Sequence, residues 1–256
     1  QIYTPPQNTN PNHPKPLSLM IRRPPRSTLF PYTTLFRSQP PLEKPYANDL
    51  NQIKLPEVTN DILQTSNVLD IINARQSWRS YSEETLSLPE LSFLLWCSQG
   101  VKKVTANNYA TLRTVPSGGA RHPFETYLVV NNVDSLKKGI YRYLALSHSL
   151  ILIKEGDFSH ETASAALNQT FLCSSAVVFL WTCLPYRGEW RYLHAAHKVM
   201  LLDAGHVCQN LYLACGAINC GTCGIAAYDQ ASMDKLLDID GNEEFTVYLA
   251  PVGKLK

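Results

Sequence analysis

Val115-Pro116-Ser117-Gly118-Gly119-Ala120-Arg121-His122-Pro123 runs directly into Phe124-Glu125-Thr126-Tyr127-Leu128-Val129-Val130. The second half is β-branched and aromatic, which predicts a buried strand. In the first half, two adjacent glycines permit positive φ and let bare backbone approach a flat ligand. Ser117 adds a hydroxyl beside backbone amide donors. Prolines at both ends fix their own φ and restrict the residues before them. A stiff loop with exposed backbone at its centre suits one wall of a cofactor pocket, and it equally suits a tight loop ahead of a strand.

Working outward from this loop, residues 139–144 and 148–154 read as short strands joined by a polar turn. Residues 161–169 read as a helix and residues 176–182 as a buried strand. Residues 192–215 are mostly apolar with few charges, which predicts a long, buried central helix. A glycine-punctuated loop at 219–227, a helical piece at 233–237 and a closing strand at 245–249 complete that side. Upstream, residues 66–75 start with a capping-type serine, Ser66, and carry Val68, Leu69, Ile71 and Ile72 as an apolar stripe of a short helix. Ser87, Leu88, Pro89 and Glu90 form a capping box with proline in the first turn of a second helix, which stops at Gly100. Strands separated by helices, with hairpin-like pieces between them, indicate an α+β fold with a mixed, mostly antiparallel sheet flanked by helices.

The 256 residues are 45% hydrophobic and 17% charged, enough for one sizeable core. Residues 1–45 hold 11 of the 17 prolines and no glycine, and lack a helical or strand period. The expected division is therefore a disordered or artefactual arm at residues 1–46 and a folded domain at 47–256, with ordered structure starting after Pro56. Within the arm, residues 19–38 resemble translated sequencing-adapter DNA and are excluded from fold reasoning. Residues 1–38 carry Lys15, Arg22, Arg23, Arg26 and Arg37 and no acid. Without these five, 18 basic residues face 21 acids, so the mildly basic total is no argument for nucleic acid. No apolar run reaches the ~18 residues of a membrane span. The seven cysteines lie mostly in apolar stretches, as free thiols in a reducing compartment such as the cytoplasm would. Cys220 and Cys223 have CxxC spacing, but neither a second CxxC nor a paired histidine motif accompanies them, so no metal site is expected. The sequence begins at Gln1 rather than Met and leaves open what precedes it.

Two further stretches can carry chemistry. Arg75, Ser77 and Arg79 follow a helix at alternate positions, so extended backbone points all three to one side. Two guanidiniums and a hydroxyl suit a phosphate, and they equally suit a solvated edge. Gly216, Gly221 and Gly224 follow the long helix, where glycines cap it or present backbone amides to a ring system. The strand-before, helix-after setting of a dinucleotide fingerprint is missing there. Asp203, His206 and Gln209 fall on one side of the long helix and read as a hydrogen-bonded structural network.

Together these stretches resemble the nitroreductase-type flavin family, and more closely its SagB-type dehydrogenase branch. The resemblance rests on Arg-x-Ser-x-Arg-x-Tyr at 75–81, Pro-Ser-Gly-Gly-Ala-Arg-His-Pro at 116–123 and Gly-Ile-Tyr-Arg-Tyr at 139–143. It continues through residues 190–192, 202–212, 221–224 and 251–254, covering about residues 60–254 in the family's order. It implies an FMN-binding, nitroreductase-like α+β fold and a domain-entwined homodimer with two flavins at the interface. Arg75, Ser77 and Arg79 would hold the phosphate and ribityl chain. Pro116, Ser117, Gly118 and Gly119 would approach the flavin from the partner subunit. Gln169 falls where the family has a polar contact to the flavin. Gly221, Thr222, Cys223 and Gly224 would supply amides near N5 and O4, tuning the cofactor while the flavin does the chemistry. Lys254 would add charge near the phosphate from a frayed chain end.

The resemblance further implies an oxidoreductase acting on a small-molecule or peptide-borne substrate, with NAD(P)H as a transient reductant. One position departs from the branch. Its azoline oxidases carry a Lys-Tyr pair near the start of the long helix, where this chain has Arg191 and Tyr192. Arginine does not lose its proton in proteins, so of the two candidate catalytic residues only Tyr192 can move one. The alternative for Arg191 is a salt bridge to Glu189. Residues 102–113 and 185–189 are the expected variable loops of the substrate pocket.

Overall fold

The computed structural model describes residues 38–47 and 49–256. The strands are β1 (Gln52–Lys54), β2 (Val101–Val104), β3 (Thr111–Arg113), β4 (Phe124–Val130), β5 (Gly139–Leu144), β6 (Ser149–Glu155), β7 (Val177–Cys183), β8 (Cys220–Thr222) and β9 (Phe245–Lys254). The helices are α1 (Val68–Ala74), α2 (Leu88–Gln99), α3 (Ser159–Ala165), α4 (Pro185–Tyr192), α5 (Ala196–Ala217) and α6 (Gln230–Leu236). Seven strands form one sheet in the order β1-β6-β5-β4-β7-β9-β8, while β2 and β3 make a separate hairpin. Every neighbouring pair is antiparallel. The parallel component expected from the sequence is reduced to an isolated bridge between Leu86 and Val133.

β4 and β7 are buried along their whole length because both sheet faces are covered. Their side chains alternate between two cores, as the period of two requires. Leu128, Val130, Phe179 and Trp181 join Met200, Val207 and Leu211 of α5 and Leu91, Leu94 and Leu95 of α2. Tyr127, Val129, Val178 and Leu180 join Ala163 of α3 and Met233 of α6. Cys220 belongs to the first core and Cys223 to the second, so the CxxC thiols pack on different sides.

Several expectations are corrected. The long helix starts at Ala196, because Leu193 adopts a φ of 47° and breaks the chain after α4. Arg191 and Tyr192 therefore belong to the short helix before it. α5 is buried along one side only; Leu201 and Leu202 are exposed. The N-cap of α1 is Asn67, whose Oδ1 accepts from the Leu69 and Asp70 amides, rather than Ser66. The loop expected at 219–227 contains β8, held against the far end of β9, and residues 102–113 are largely the β2–β3 hairpin. Lys254 closes the ten-residue strand β9 and is not frayed.

Regular structure also starts earlier than Pro56, at β1. Residues 39–46, assigned to the arm from their prolines, lie irregularly along the domain. Pro41 accepts from Arg187 Nε at 3.0 Å, the Lys44 carbonyl accepts from Arg142 at 2.8 Å, and the Lys44 amide donates to Glu125 at 2.8 Å. The adapter-like stretch, except Ser38, lies outside the described residues. Among the described residues, no helix is long and apolar enough to cross a membrane.

Candidate functional site

Residues 75–81 leave α1 as extended backbone. The Trp78 amide donates to the Thr222 carbonyl at 2.9 Å, which lays this run beside β8. Tyr81, buried, donates its hydroxyl to the Trp78 carbonyl at 2.8 Å and fixes the run from below. Arg75, Ser77 and Arg79 are exposed, as are Gln76 and Ser80. The Ser77 and Tyr212 hydroxyls are 2.8 Å apart, and Tyr212 Oη accepts the Gly224 amide at 2.8 Å. The Arg75 guanidinium lies 5.5 Å from the Tyr212 ring centre. Tyr212 of α5 thus joins the Arg75–Arg79 run to the Gly221–Gly224 turn directly.

The glycine loop is held elsewhere on the same helix. Asp203 accepts the Ser117 hydroxyl at 2.6 Å and the Gly118 amide at 3.1 Å, and Ser117 Oγ accepts the His122 amide at 2.9 Å. Burial raises the Asp203 pKa above the usual carboxylate range, against the opposing pull of these hydrogen bonds. At Gly118 an added Cβ would stand 2.3 Å from Val199 of α5, so only glycine permits this approach. Gly119 has φ of 57°, and the positive φ continues at Ala120 and His122, a costly backbone path for side-chain-bearing residues. His206 and Gln209, read as partners of Asp203, are exposed; the carboxylate works with the loop rather than with them.

Arg191 and Tyr192 stand over this loop. A Cβ on Gly119 would meet Arg191 Nε at 2.6 Å and the Tyr192 hydroxyl at 2.8 Å. Arg191 donates to Tyr109 Oη at 2.7 Å, and Glu189 pairs with His197 at 3.7 Å, so the Arg191–Glu189 bridge does not form.

Asp203 and Tyr212 are nine residues apart on α5. At 3.6 residues per turn and 1.5 Å per residue they face opposite sides, about 13 Å apart along the axis. Within one chain, the glycine loop and the Arg75–Ser77–Arg79 run therefore sit on different sides of a helix. Sequence reasoning quoted Asp203 and Tyr212 without assigning them these anchoring roles. The available signal was that the two positions lie half a turn out of phase on one helix.

The remaining candidates have structural partners. Gln169 donates to the carbonyls of Ala166 and Ala227, each at 2.9 Å, and so ties down the chain after Gly224. Lys254 pairs with Glu90, and although burial opposes its charge the Glu90 hydrogen bond outweighs it and raises the lysine pKa. That carboxylate already answers its charge. Thr222 Oγ1 is buried with no hydrogen-bond partner among the described residues. Arg75 and Arg79 have no carboxylate partner among them either. Two exposed guanidiniums without a carboxylate partner among the described residues, with the Ser77 hydroxyl between them in sequence, fit a phosphorylated, hydrogen-bonding cofactor such as FMN. A cavity of about 350 Å³ between residues 40–45 and 238–244 shares no residue with these stretches.

A seven-stranded antiparallel sheet covered on both faces, with a long helix carrying a split site, defines a nitroreductase-like α+β protein. The family model described as "Nitroreductase family" matches residues 72–254, and the chain belongs to that family. It is 31% identical over 206 residues to the "Putative nitroreductase" of Methanocaldococcus jannaschii, covering 80% of this chain and 98% of that protein. It is 30% identical to the trifolitoxin-processing protein TfxB of Rhizobium leguminosarum, covering 63% of this chain and 47% of that one. Among solved structures it is similar to a nitroreductase-type protein of Anabaena variabilis, with 26% identity and a TM-score of 0.64. That match covers 75% of this chain and 38% of the other, so the chain spans less than half the length of TfxB and of the Anabaena protein.

Proposed function

We propose that this chain is an FMN-dependent oxidoreductase that works as a homodimer on a small-molecule or peptide-borne substrate. What carries the reading is the Ser77–Tyr212–Gly224 link, which joins two of the three flavin-type stretches at one place. The third, residues 116–119, comes from the second copy, because its own copy holds it on the opposite side of α5. The exposed Leu201 and Leu202, with open space around Gly205 between them and Gln209, give that second copy a face to cover.

Bound FMN supplies hydride exchange with the substrate at its N5. Arg75 and Arg79 bind the phosphate with fixed positive charge, and Ser77 adds a hydroxyl. The stiff glycine loop, pinned by Asp203, orients and covers the cofactor with bare backbone. Tyr192 can hold or give a proton at its hydroxyl; Arg191 remains charged and orients. NADH or NADPH would bind transiently as reductant.

The test is direct. Purified protein should be yellow and release about one FMN per chain on denaturation, and anaerobic NADH or NADPH should bleach it. Colourless protein that does not take up added FMN overturns the reading. A second reading, favoured by Arg191 where azoline oxidases have lysine and by the similarity to a trifolitoxin-processing protein, is a catalytically silent flavin-binding partner in a peptide-modifying, azoline-forming complex. It predicts bound FMN that neither nicotinamide nor candidate heterocycles reduce.

A further inference from the structure

Beside the glycine loop, two arginines share one tyrosine and lack any carboxylate. Arg121, almost fully buried, lies between two rings, its guanidinium 4.6 Å from the centre of Tyr109 and 5.1 Å from that of Trp190. It donates to the carbonyls of Gly119 and Tyr109, each at 2.9 Å. Arg191 donates to the hydroxyl of the same Tyr109 at 2.7 Å and lies 5.9 Å from the Tyr192 ring centre. Neither guanidinium forms an ion pair among the described residues. Glu189, the acid on the same short helix, pairs with His197.

A guanidinium has about five N–H donors, so most donors of this pair have no acceptor among the described residues. Holding two like charges on one aromatic residue is unfavourable without an anion. Burial, joined by the charge of Arg191, pushes the Arg121 pKa down against the opposing pull of Tyr109. Planar guanidiniums stacked on rings are weakly hydrated and pre-arranged for bidentate carboxylate recognition. The surrounding tyrosines and tryptophan favour a flat apolar body attached to that carboxylate.

The geometry points to a substrate subsite at Tyr109, Arg121, Trp190 and Arg191 that selects a flat molecule bearing a carboxylate. This rests on the oxidoreductase reading for the site's purpose, since the cluster touches Gly119 of the loop that covers the cofactor. It names the substrate class that reading leaves open: aromatic acids, or a peptide with an acidic residue next to an aromatic one. Arg121, buried, is a positioning residue for the loop and the two rings, whereas Arg191 is exposed and meets the anion.

The experiment is calorimetric titration of the purified protein with benzoate and with benzamide, its neutral counterpart, with flavin absorbance recorded on the same sample. Wild type should bind benzoate at least about tenfold more tightly, the worth of one charge-assisted hydrogen bond at a partly exposed site. Arg191→Gln should level the two ligands, and Arg191→Glu should prefer benzylamine to benzoate; circular dichroism checks that both variants fold. Equal affinity of wild type for benzoate and benzamide, no binding of either, or a preference that survives both substitutions overturns the subsite. Colourless protein with the benzoate preference intact sinks only the flavin reading. Yellow protein without the preference sinks only the subsite.

Discussion

Asp203→Ala and Asp203→Asn should separate sharply, and the reason lies in two hydrogen bonds. Asp203 is the acceptor for both the Ser117 hydroxyl and the Gly118 amide. Alanine leaves both donors without an acceptor in a half-buried loop, and each orphan costs about 1–3 kcal/mol when water does not replace the partner. Ser117 can turn toward solvent, so the expected loss is about 2–4 kcal/mol. Asparagine keeps one oxygen for the Gly118 amide, and its NH₂ can donate to Ser117 Oγ, which has a second lone pair beside the His122 contact. Its loss should be about 1 kcal/mol. The pH dependence has a definite sign. The folded pKa of Asp203 is raised by burial, so ionising it weakens the fold. Wild type then loses stability as pH rises from about 4 through the raised folded value, and Asp203→Asn does not. The gap between them is widest below about pH 4 and narrower at pH 7. Urea unfolding at both pH values, with FMN titration at pH 7, measures all of this. Equal losses for the two variants, or a gap that widens toward neutral pH, would refute the reasoning.

Tyr212→Phe removes the acceptor for the Gly224 amide and the Ser77 contact; it should lower stability by about 1 kcal/mol and weaken FMN binding more than the stability change alone accounts for, measured by fluorescence titration. Glu125 is buried and pairs with Arg187 at 2.6 Å. Burial opposes its charge, yet Arg187 and Arg142 win and hold its pKa below the usual carboxylate range, so the pair stabilises above about pH 4.5 and that contribution disappears on acidification. Glu125→Ala should cost about 3–5 kcal/mol at pH 7 because Arg187 stays charged and buried, and the deficit should shrink in acid unfolding curves.

Local signals made much of the fold legible. The Ser87 and Glu90 capping box and the Gly100 stop bound α2 where the sequence reading had them. β4 and β5 match their expected residues because β-branched and aromatic runs bounded by turn residues have few other uses. The missed elements depend on distant partners. β8 is three residues long and is a strand only because Cys220, Gly221 and Thr222 pair with the end of β9. The break at Leu193 was invisible because no glycine or asparagine marks the positive φ there. At the site, Arg75, Ser77 and Arg79 are exposed, but so are Gln76 and Ser80 between and beside them. The roles of Asp203 and Tyr212 were hidden because each bonds a segment many tens of residues away, and only packing reveals which side of α5 each occupies.

The most direct test of the central claim uses mixed dimers. Chains carrying Arg79→Glu should lose the phosphate contact, and chains carrying Gly119→Val should lose the covering loop; each alone should purify folded and nearly free of FMN. Co-expressed with different tags and isolated as a mixed pair, they should regain one intact site, built from the unmutated Arg79 of one copy and the unmutated Gly119 of the other. The account predicts about one FMN per mixed dimer, read from its absorbance after denaturation. Mixed dimers as empty as their parents would contradict a flavin shared between two copies.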